Sequence, residues 1–333
     1  MNKQLSSKTI SIITVNYFSA SLIKHLASTL PNKKKHNYEF IVVDNSSNKE
    51  QSDLLKKIKK IDKLIINRKN LGFGTANNQG VKRAKGQFVF FLNPDTMIND
   101  STLDQLLMTF NDDKRVAMAG CLIRNTDGSL QRSAHRSFPN MWNHFWEYSP
   151  IVELLFSRLL PNYHPTLFST EEHLHELKVQ HLLGACMLMP KKNFDFAGGF
   201  DENIFLYREE TDLAKRLLEN GYSIRYTAKT SITHVSGGST QNRGRTSFDE
   251  IYTKSAYQYL DKHYGNLYMN LAKFAAITGL LLSLITLYPL HLFRLILHKP
   301  GFRQELKGSL ISLKFHYKHL NSNELRYQSK KNL

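Results

Sequence analysis

The apolar positions fall into two alternating rhythms over the first hundred residues. Short β-rich runs at 9–16, 39–44, 64–66 and 88–92 read as strands. Between them lie stretches with apolar residues at helical spacing. The first, residues 19–30, carries Leu22, Ile23, Leu26 and Leu30 and is closed by Pro31. The second runs to about Lys60 and the third ends near Lys85. Strand–helix alternation at this spacing predicts βαβ units and a mostly parallel sheet.

Each predicted strand ends in a polar cluster: Asn16, Asp44, Asn70 and, after Phe88–Leu92, Asn93-Pro94-Asp95-Thr96. Pro94 cannot continue a central ladder, so the fourth strand stops there. In open α/β sheets, ligands bind at the carboxyl ends of the strands. Four polar ends on one edge therefore predict a crevice, although Asp95 alone reads more readily as a turn or cap residue.

The second half has a different rhythm. Residues 116–123 and 181–189 are apolar runs fit to join the sheet. Residues 132–165, rich in aromatics, His and Pro, form a long excursion. A short helix is expected at 191–196, a longer one at 205–218, and two short strands at 222–226 and 231–234. Gly237-Gly238-Ser239 opens a polar, basic loop. From about Leu267 the composition shifts. Residues 274–293 contain no Lys, Arg, Asp or Glu and approach the roughly 20 residues that span a bilayer. Lys273 flanks them on one side; Arg294, Lys299 and Arg303 flank the other, and Pro289 is expected to kink the segment. A spanning helix, a helix in the interface and a helix packed on protein all fit. These shifts divide the chain at 265, with a core of 1–265 and a basic helical region of 266–333.

With 333 residues, the chain can bury a large core. A net charge of +17 changes the picture more, because it points to anionic partners: nucleic acid, lipid head groups or phosphorylated ligands. No zinc-finger, RNA-recognition or other nucleic-acid motif is present, which disfavours nucleic acid. No G-x-G-x-x-G follows the first strand, which disfavours a dinucleotide oxidoreductase. Cys121 and Cys186 lie in apolar runs and read as buried thiols of a reducing compartment. The N-terminus lacks a signal-peptide apolar core, so the first domain is expected in the cytoplasm.

Several segments together resemble one family. They are Ile13-Thr-Val-Asn-Tyr17, Val42-Val-Asp-Asn-Ser-Ser47, Asn70-Leu-Gly-Phe73, Ala76-Asn-Asn-Gln-Gly80 and Leu92-Asn-Pro-Asp-Thr96. Further on come Leu183-Gly-Ala-Cys-Met-Leu188, Gly198-Gly-Phe-Asp-Glu202, Leu206-Tyr-Arg-Glu-Glu-Thr-Asp-Leu213, His234 and Gly237-Gly-Ser239. In this order they resemble the family 2 glycosyltransferases of the GT-A fold, and among these the rhamnosyltransferase-like branch of bacterial surface polysaccharide synthesis. The resemblance covers about residues 9–240.

It implies an inverting transfer of a sugar from a dTDP- or UDP-sugar to a polyprenyl-diphosphate-linked saccharide, with rhamnose from dTDP-rhamnose the specific candidate. Asn16, Asp44, Asn70, Gly72, Phe73 and Asn77 would surround the nucleotide. Asp95 would meet a divalent metal, Mg²⁺ or Mn²⁺, on the donor diphosphate. Asn93 stands where the wider fold has a second acidic residue, so the metal is expected to arrive with the donor. His234 is either a further ligand or a hydrogen-bonded structural residue. Glu210 takes the base position, with Glu209 and Asp212 as alternatives. A carboxylate pair at a helix start also suits the helix dipole. Gln131, Arg132 and Arg136 are either contacts to the acceptor diphosphate or surface polar groups. Trp142, Phe145 and Trp146 line an acceptor groove or pack. The expected place is the cytoplasmic face of the bacterial inner membrane, peripheral or single-pass, against an anionic surface. A non-catalytic sugar-nucleotide scaffold of a polysaccharide assembly complex is the alternative, prompted by Asn93 and Glu210.

Overall fold

The computed structural model describes residues 9–111, 113–149, 152, 159–160, 164–235, 245–296, 302–319 and 325–327. Gly237-Gly238-Ser239 and Lys299 fall outside them, as do the side chains of Pro289, Arg294 and Arg303.

Four parallel strands carry the N-terminal half: β1 (Ile10–Asn16), β2 (Tyr38–Asp44), β3 (Lys63–Ile66) and β4 (Phe88–Leu92). They stand in the order β3-β2-β1-β4, the reversal of direction falling between β1 and β4. Every residue of β1 and β4 is buried. Their near-continuous apolar sequences follow from being covered on both faces. Ile12 and Phe90 look to one side, toward Ile23 and Leu26 of α1 (Ala20–Thr29) and Leu106 of α4 (Thr102–Met108). Ile13 and Phe91 look to the other, toward Val81 of α3 (Phe73–Arg83). The helix α2 (Lys49–Lys56) caps itself at Asn48, whose side chain accepts from the Gln51 N–H.

Beyond β4 the sheet continues through β11 (Cys186–Pro190), β6 (Val116–Arg124) and β12 (Ser223–His234), with β5 (Thr96–Met97) on the far side of β12. Short strands β7 (Leu130–Gln131) and β9 (Leu177–Val179) pair with β6 and β12. A separate two-stranded ladder joins β8 (Ala134–His135) to β10 (His181–Leu182). β11 runs antiparallel to both β4 and β6, whereas β6 and β12 are parallel. The architecture is α/β with a mostly parallel central sheet.

Four elements differ from the sequence expectation. The run 181–189 is two strands, broken at Leu183-Gly184-Ala185 where the chain crosses between ladders. The two strands expected after Gly221 are one, β12, with a register shift between Thr227 and Ser231 absorbing the polar interruption. α6 (Lys191–Phe196) is where expected, but α7 begins at Glu209, not 205, and ends at Glu219. Tyr207 and Arg208 take left-handed backbone angles, φ 68° and 73°, which block earlier helix.

The chain divides into two compact units. One is Met1–Phe138 with Leu167–Asn242; the other is Pro139–Thr166 with Arg243–Leu333. The excursion thus divides, and the boundary falls before 265. Within the second unit, α5 (Met141–Glu147) packs on α9 (Asn266–Ile296), flanked by α8 (Arg245–Tyr264) and α10 (Phe302–Lys318). Gly279 permits the close approach of α9 to α5: a Cβ there would stand 3.0 Å from the Phe145 carbonyl oxygen.

Candidate active site

At the carboxyl end of β1, the Asn16 amide donates to Asp44 Oδ1 at 2.8 Å. The same oxygen accepts from the Ser46 N–H and hydroxyl, and Oδ2 accepts from Ser52 Oγ at 2.6 Å. Asp44 is fully buried and shapes the β2–α2 turn through these bonds. Asn45, which the sequence reading quoted but gave no role, is an amide hub. It donates to Asn70 Oδ1 and the Gly72 carbonyl and accepts from Asn67. Asn70 Oδ1 also accepts from the Gly72 N–H. The turn before α3 is therefore held from three sides.

Gly72 lies at φ 86°, and a Cβ on it would meet the Phe205 carbonyl at 2.3 Å. No other residue type fits. The Phe73 N–H donates to that same carbonyl at 2.9 Å, tying this loop to the chain before α7. Asn77 bonds back to the Phe73 carbonyl. Asn78 grips the backbone of Phe200 through both amide atoms and reaches Glu202.

Asp95 is buried after the strand stop. The Asn93 N–H donates to the Ala185 carbonyl, and the Val235 N–H donates to the Asp95 carbonyl at 2.8 Å. β5 pairs with β12 so that Thr96 stands opposite His234. This places His234 Nε2 3.2 Å from Asp95 Oδ1. Oδ1 has no hydrogen-bond donor among the described residues. His234 Nδ1 lies 2.9 Å from Gln131 Oε1, which only accepts; with Nδ1 donating, a neutral ring turns the Nε2 lone pair toward Asp95. Two acceptors thus face one another. Two ligands of one cation at about 2.1 Å, subtending roughly a right angle, stand about 3.0 Å apart. The pair fits a divalent cation. Among the described residues no group of three acidic, His or Cys side chains gathers, so other ligands would come from the donor phosphates.

Gln131 therefore serves His234. Arg136 donates to Glu172 at 2.6 Å and to the Leu167 carbonyl, and its guanidinium lies over the Phe168 ring. In this structure Arg136 is thus engaged in an ion pair with Glu172. Arg132, half-buried, raises the positive field at His173.

The three acidic residues in the first turn of α7 have different surroundings. Asp212 is fully buried and accepts two bonds from Arg216, at 2.9 and 2.7 Å. Arg216 also donates to the Ala197 and Gly199 carbonyls. Asp212 is thereby committed to pinning the Gly198-Gly199 turn. Glu209 is buried against α3, its Cβ 3.7 Å from where a Gly74 Cβ would stand. Burial raises its carboxyl well above the usual range, and the neighbouring Glu210 charge adds to this. Glu210 lies along Gly184, the residue before Ala185, whose carbonyl holds Asn93. Burial raises its carboxyl too, against the opposing pull of Arg208. The Leu183–Ala185 crossing thus touches both the Asp95 turn and Glu210. Arg208 also helps hold His181 neutral: burial first, then this charge, lowers the imidazole to about 3.

Comparison with known proteins agrees with this geometry. The sequence model of glycosyl transferase family 2 matches residues 10–194. The N-acetylglucosaminyl-diphospho-decaprenol L-rhamnosyltransferase of Mycobacterium tuberculosis (strain ATCC 25618 / H37Rv) is 30% identical over 217 residues. That match spans 59% of this chain and 66% of the relative's length. Rhamnosyltransferase WbbL of Escherichia coli (strain K12) is 26% identical over 262 residues, covering 75% of this chain and 91% of WbbL. In fold, the chain is similar to mannosyltransferase PcManGT from Pyrobaculum calidifontis, solved with GDP-Man and Mn²⁺. The TM-score is 0.58 at 14% identity, covering 95% of this chain and 87% of that one. The matched sequence, the nucleotide-sugar-transferase fold and the polar sheet edge give one conclusion: the chain belongs to glycosyl transferase family 2.

Proposed function

We propose that the protein is an inverting glycosyltransferase. It would move a sugar, rhamnose in the specific reading, from a dTDP- or UDP-sugar to a polyprenyl-diphosphate-linked saccharide. The observation that carries the reading is the convergence of the Asp95–His234 pair and Glu210 on the Leu183–Ala185 crossing. The similarity to a lipid-linked rhamnosyltransferase and to WbbL supports the substrate classes.

In this mechanism the amide-braced turn of Asn45, Asn70 and Gly72 cradles the nucleotide. Asp44, fully buried, would hold the β2–α2 turn against the nucleotide through its bonds to Asn16, Ser46 and Ser52. Asp95 and His234 would hold Mg²⁺ or Mn²⁺; the ion, when bound, neutralises charge on the departing diphosphate. Gln131 keeps the His234 lone pair aimed at Asp95. Glu210 takes the acceptor hydroxyl proton onto its carboxylate. The freed oxygen forms its bond to the anomeric carbon as the bond to the nucleoside diphosphate breaks on the opposite face. Burial raises Glu210, and its charge in turn adds to the raised carboxyl of Glu209, buried against Gly74; Arg208 lowers both.

The second unit supports seating on a membrane surface. α9 is the one described helix long and apolar enough to cross a membrane by length and composition. Its faces differ, however. Leu267, Leu271, Phe274, Leu281, Leu282 and Ile285 are exposed, Leu267 at 75% and Ile285 at 72%. At 3.6 residues per turn they occupy an arc of about 100°. Met269, Ala272, Lys273, Ala276 and Leu280 are buried on the opposite side. Lys273 Nζ donates to the His319 carbonyl at 3.1 Å, holding the end of α10. A helix packed on one face and apolar on the other suits the interface plane, and the +17 charge suits an anionic leaflet.

A nucleotide-sugar panel tests the reading, first by thermal-shift binding with Mn²⁺ and then by transfer to synthetic polyprenyl-diphosphate saccharides. Binding of a dTDP- or UDP-sugar followed by transfer supports it. Binding without transfer to any lipid-linked acceptor would favour a scaffold.

A further inference from the structure

The second unit contains a cavity of about 560 Å³ between α8 and α10. That volume lies within the usual range for small-molecule sites. Ile251, Ile311, Phe315 and Leu325 give it an apolar floor. Lys254, Lys314 and Lys318 stand on its rim. Residues 311, 314, 315 and 318 share one helix face, so the apolar pair and the cationic pair of α10 alternate along a single wall. Glu250 also lines the cavity, one turn before Lys254. Among the described residues, none of the three lysines makes an ion pair, with Glu250 or with any other carboxylate. The far wall is fixed. Leu325 is 1% exposed, and the Tyr327 N–H donates to Asp261 Oδ2 at 2.8 Å. His319 is occupied, its Nδ1 on the Phe315 carbonyl and its own carbonyl on Lys273.

Three ammonium groups, none ion-paired among the described residues and outnumbering the one carboxylate of the lining, stand above an apolar floor and ask for one kind of occupant: an amphiphile whose head is an anion and whose body is hydrocarbon. Ammonium groups bind phosphate as point charges, without the planar fork that arginine would supply. Exposed lysines over a flat surface would attract any polyanion. Here the concavity and the aromatic and aliphatic floor favour a molecule with an acyl chain. We infer that this groove is a binding site for the phosphate head group of an anionic membrane lipid, separate from the transfer site. The inference rests on the membrane-surface part of the proposed function, not on the sugar-transfer part. It assigns the α9 stripe to apolar seating and the groove to selection of lipid head group.

The test is co-sedimentation of the full chain with vesicles of phosphatidylcholine alone or with added phosphatidylglycerol. The Lys254→Gln/Lys314→Gln/Lys318→Gln variant is predicted to lose roughly 100-fold in partitioning onto phosphatidylglycerol vesicles while keeping its weaker binding to phosphatidylcholine. A control variant with equal charge change, Lys24→Gln/Lys34→Gln/Lys59→Gln, is predicted to bind within about twofold of wild type, because those exposed lysines lie outside the groove. Ile311→Trp narrows the groove without changing charge and should also lower phosphatidylglycerol selectivity. Circular dichroism verifies that each variant is folded. Equal losses in the groove and control variants would overturn the inference, as would unchanged selectivity in both groove variants. Displacement by soluble glycerol 1-phosphate as readily as by short-chain phosphatidylglycerol would also overturn it. Loss of binding to both vesicle types in a stripe variant, Leu271→Glu/Phe274→Glu, reports on seating alone. If wild type binds neither vesicle type, the membrane-surface reading fails and this inference fails with it; sugar transfer in detergent is then judged separately.

Discussion

His234 Nε2 stands 3.2 Å from Asp95 Oδ1, although 139 positions separate the two residues in the chain. The β5–β12 pairing brings them together, and Gln131 fixes the imidazole from behind. This relationship sets an imidazole nitrogen beside the single carboxylate of the turn. Removing the residue that only orients the ring is the sharpest probe of it. Gln131→Ala is predicted to weaken Mn²⁺ dependence of donor binding by about 10–100-fold, the usual cost of losing an outer-shell partner. Gln131→Glu, which can still accept from Nδ1, should restore most of it. Calorimetric titration of Mn²⁺ with nucleoside diphosphate present reads the difference. Unchanged affinity in Gln131→Ala would separate His234 from the metal.

Glu210→Gln keeps the shape of the side chain and removes the base. The predicted loss in kcat is about 10²–10⁴-fold, with KM for the donor little changed. The pH dependence has a definite sign. Burial raises the Glu210 carboxyl, so the reactive carboxylate is lost as pH falls through a value above the ordinary 4.5. The acid limb of the kcat profile should therefore lie above that value and disappear in Glu210→Gln. Stability runs the other way for Glu209. Its folded-state pKa is raised, so folding is favoured below that pKa and stability is lost as pH climbs from the ordinary carboxylate range through it. Glu209→Gln should raise Tm at neutral pH and leave it nearly unchanged in acid.

Arg216 tests the structural assignment of the third acidic residue. Arg216→Ala leaves Asp212 buried without its partner and frees the Ala197 and Gly199 carbonyls. A loss of about 3–5 kcal/mol is expected, as for other broken buried pairs. Urea unfolding followed by far-ultraviolet dichroism measures it. A loss under about 1 kcal/mol with abolished turnover would instead make Asp212 a direct participant.

The apolar stripe of α9 sets the mode of membrane attachment. Wild type should be released from membranes by alkaline carbonate, because one face of the helix, with Lys273, is buried in protein. Leu271→Glu/Phe274→Glu should move the protein to the soluble fraction without treatment. Resistance of wild type to carbonate would indicate a spanning helix.

Much of the first unit was legible because βαβ periodicity and buried strands are local signals. The strand ends at Asn16, Asp44 and Asp95 followed from where apolar runs meet polar residues. What escaped depended on distant pairing. Helix α7 looked longer because Phe205 and Leu206 continue its apolar rhythm; the left-handed Tyr207 and Arg208 interrupt it, held by the Phe205 carbonyl's grip on the Gly72 turn. Gln131 and Arg136 looked equivalent as polar groups in one excursion. Only the fold sends one to His234 and the other to Glu172. Asn45 carried no charge to draw attention, yet its amide joins the β2–α2 turn to the loop before α3. Position 265 looked like a boundary in composition, but α5 packs with α9 and moves that segment into the second unit.

The central claim is a single displacement in which Glu210 deprotonates the acceptor as the nucleotide leaves. The most direct measurement is the anomeric configuration of the first product, read by proton and carbon NMR coupling constants after transfer from an isotopically labelled nucleotide sugar to a lipid-linked acceptor. The account predicts a glycosidic bond of configuration opposite to that of the donor. A product with the donor's configuration retained would contradict it.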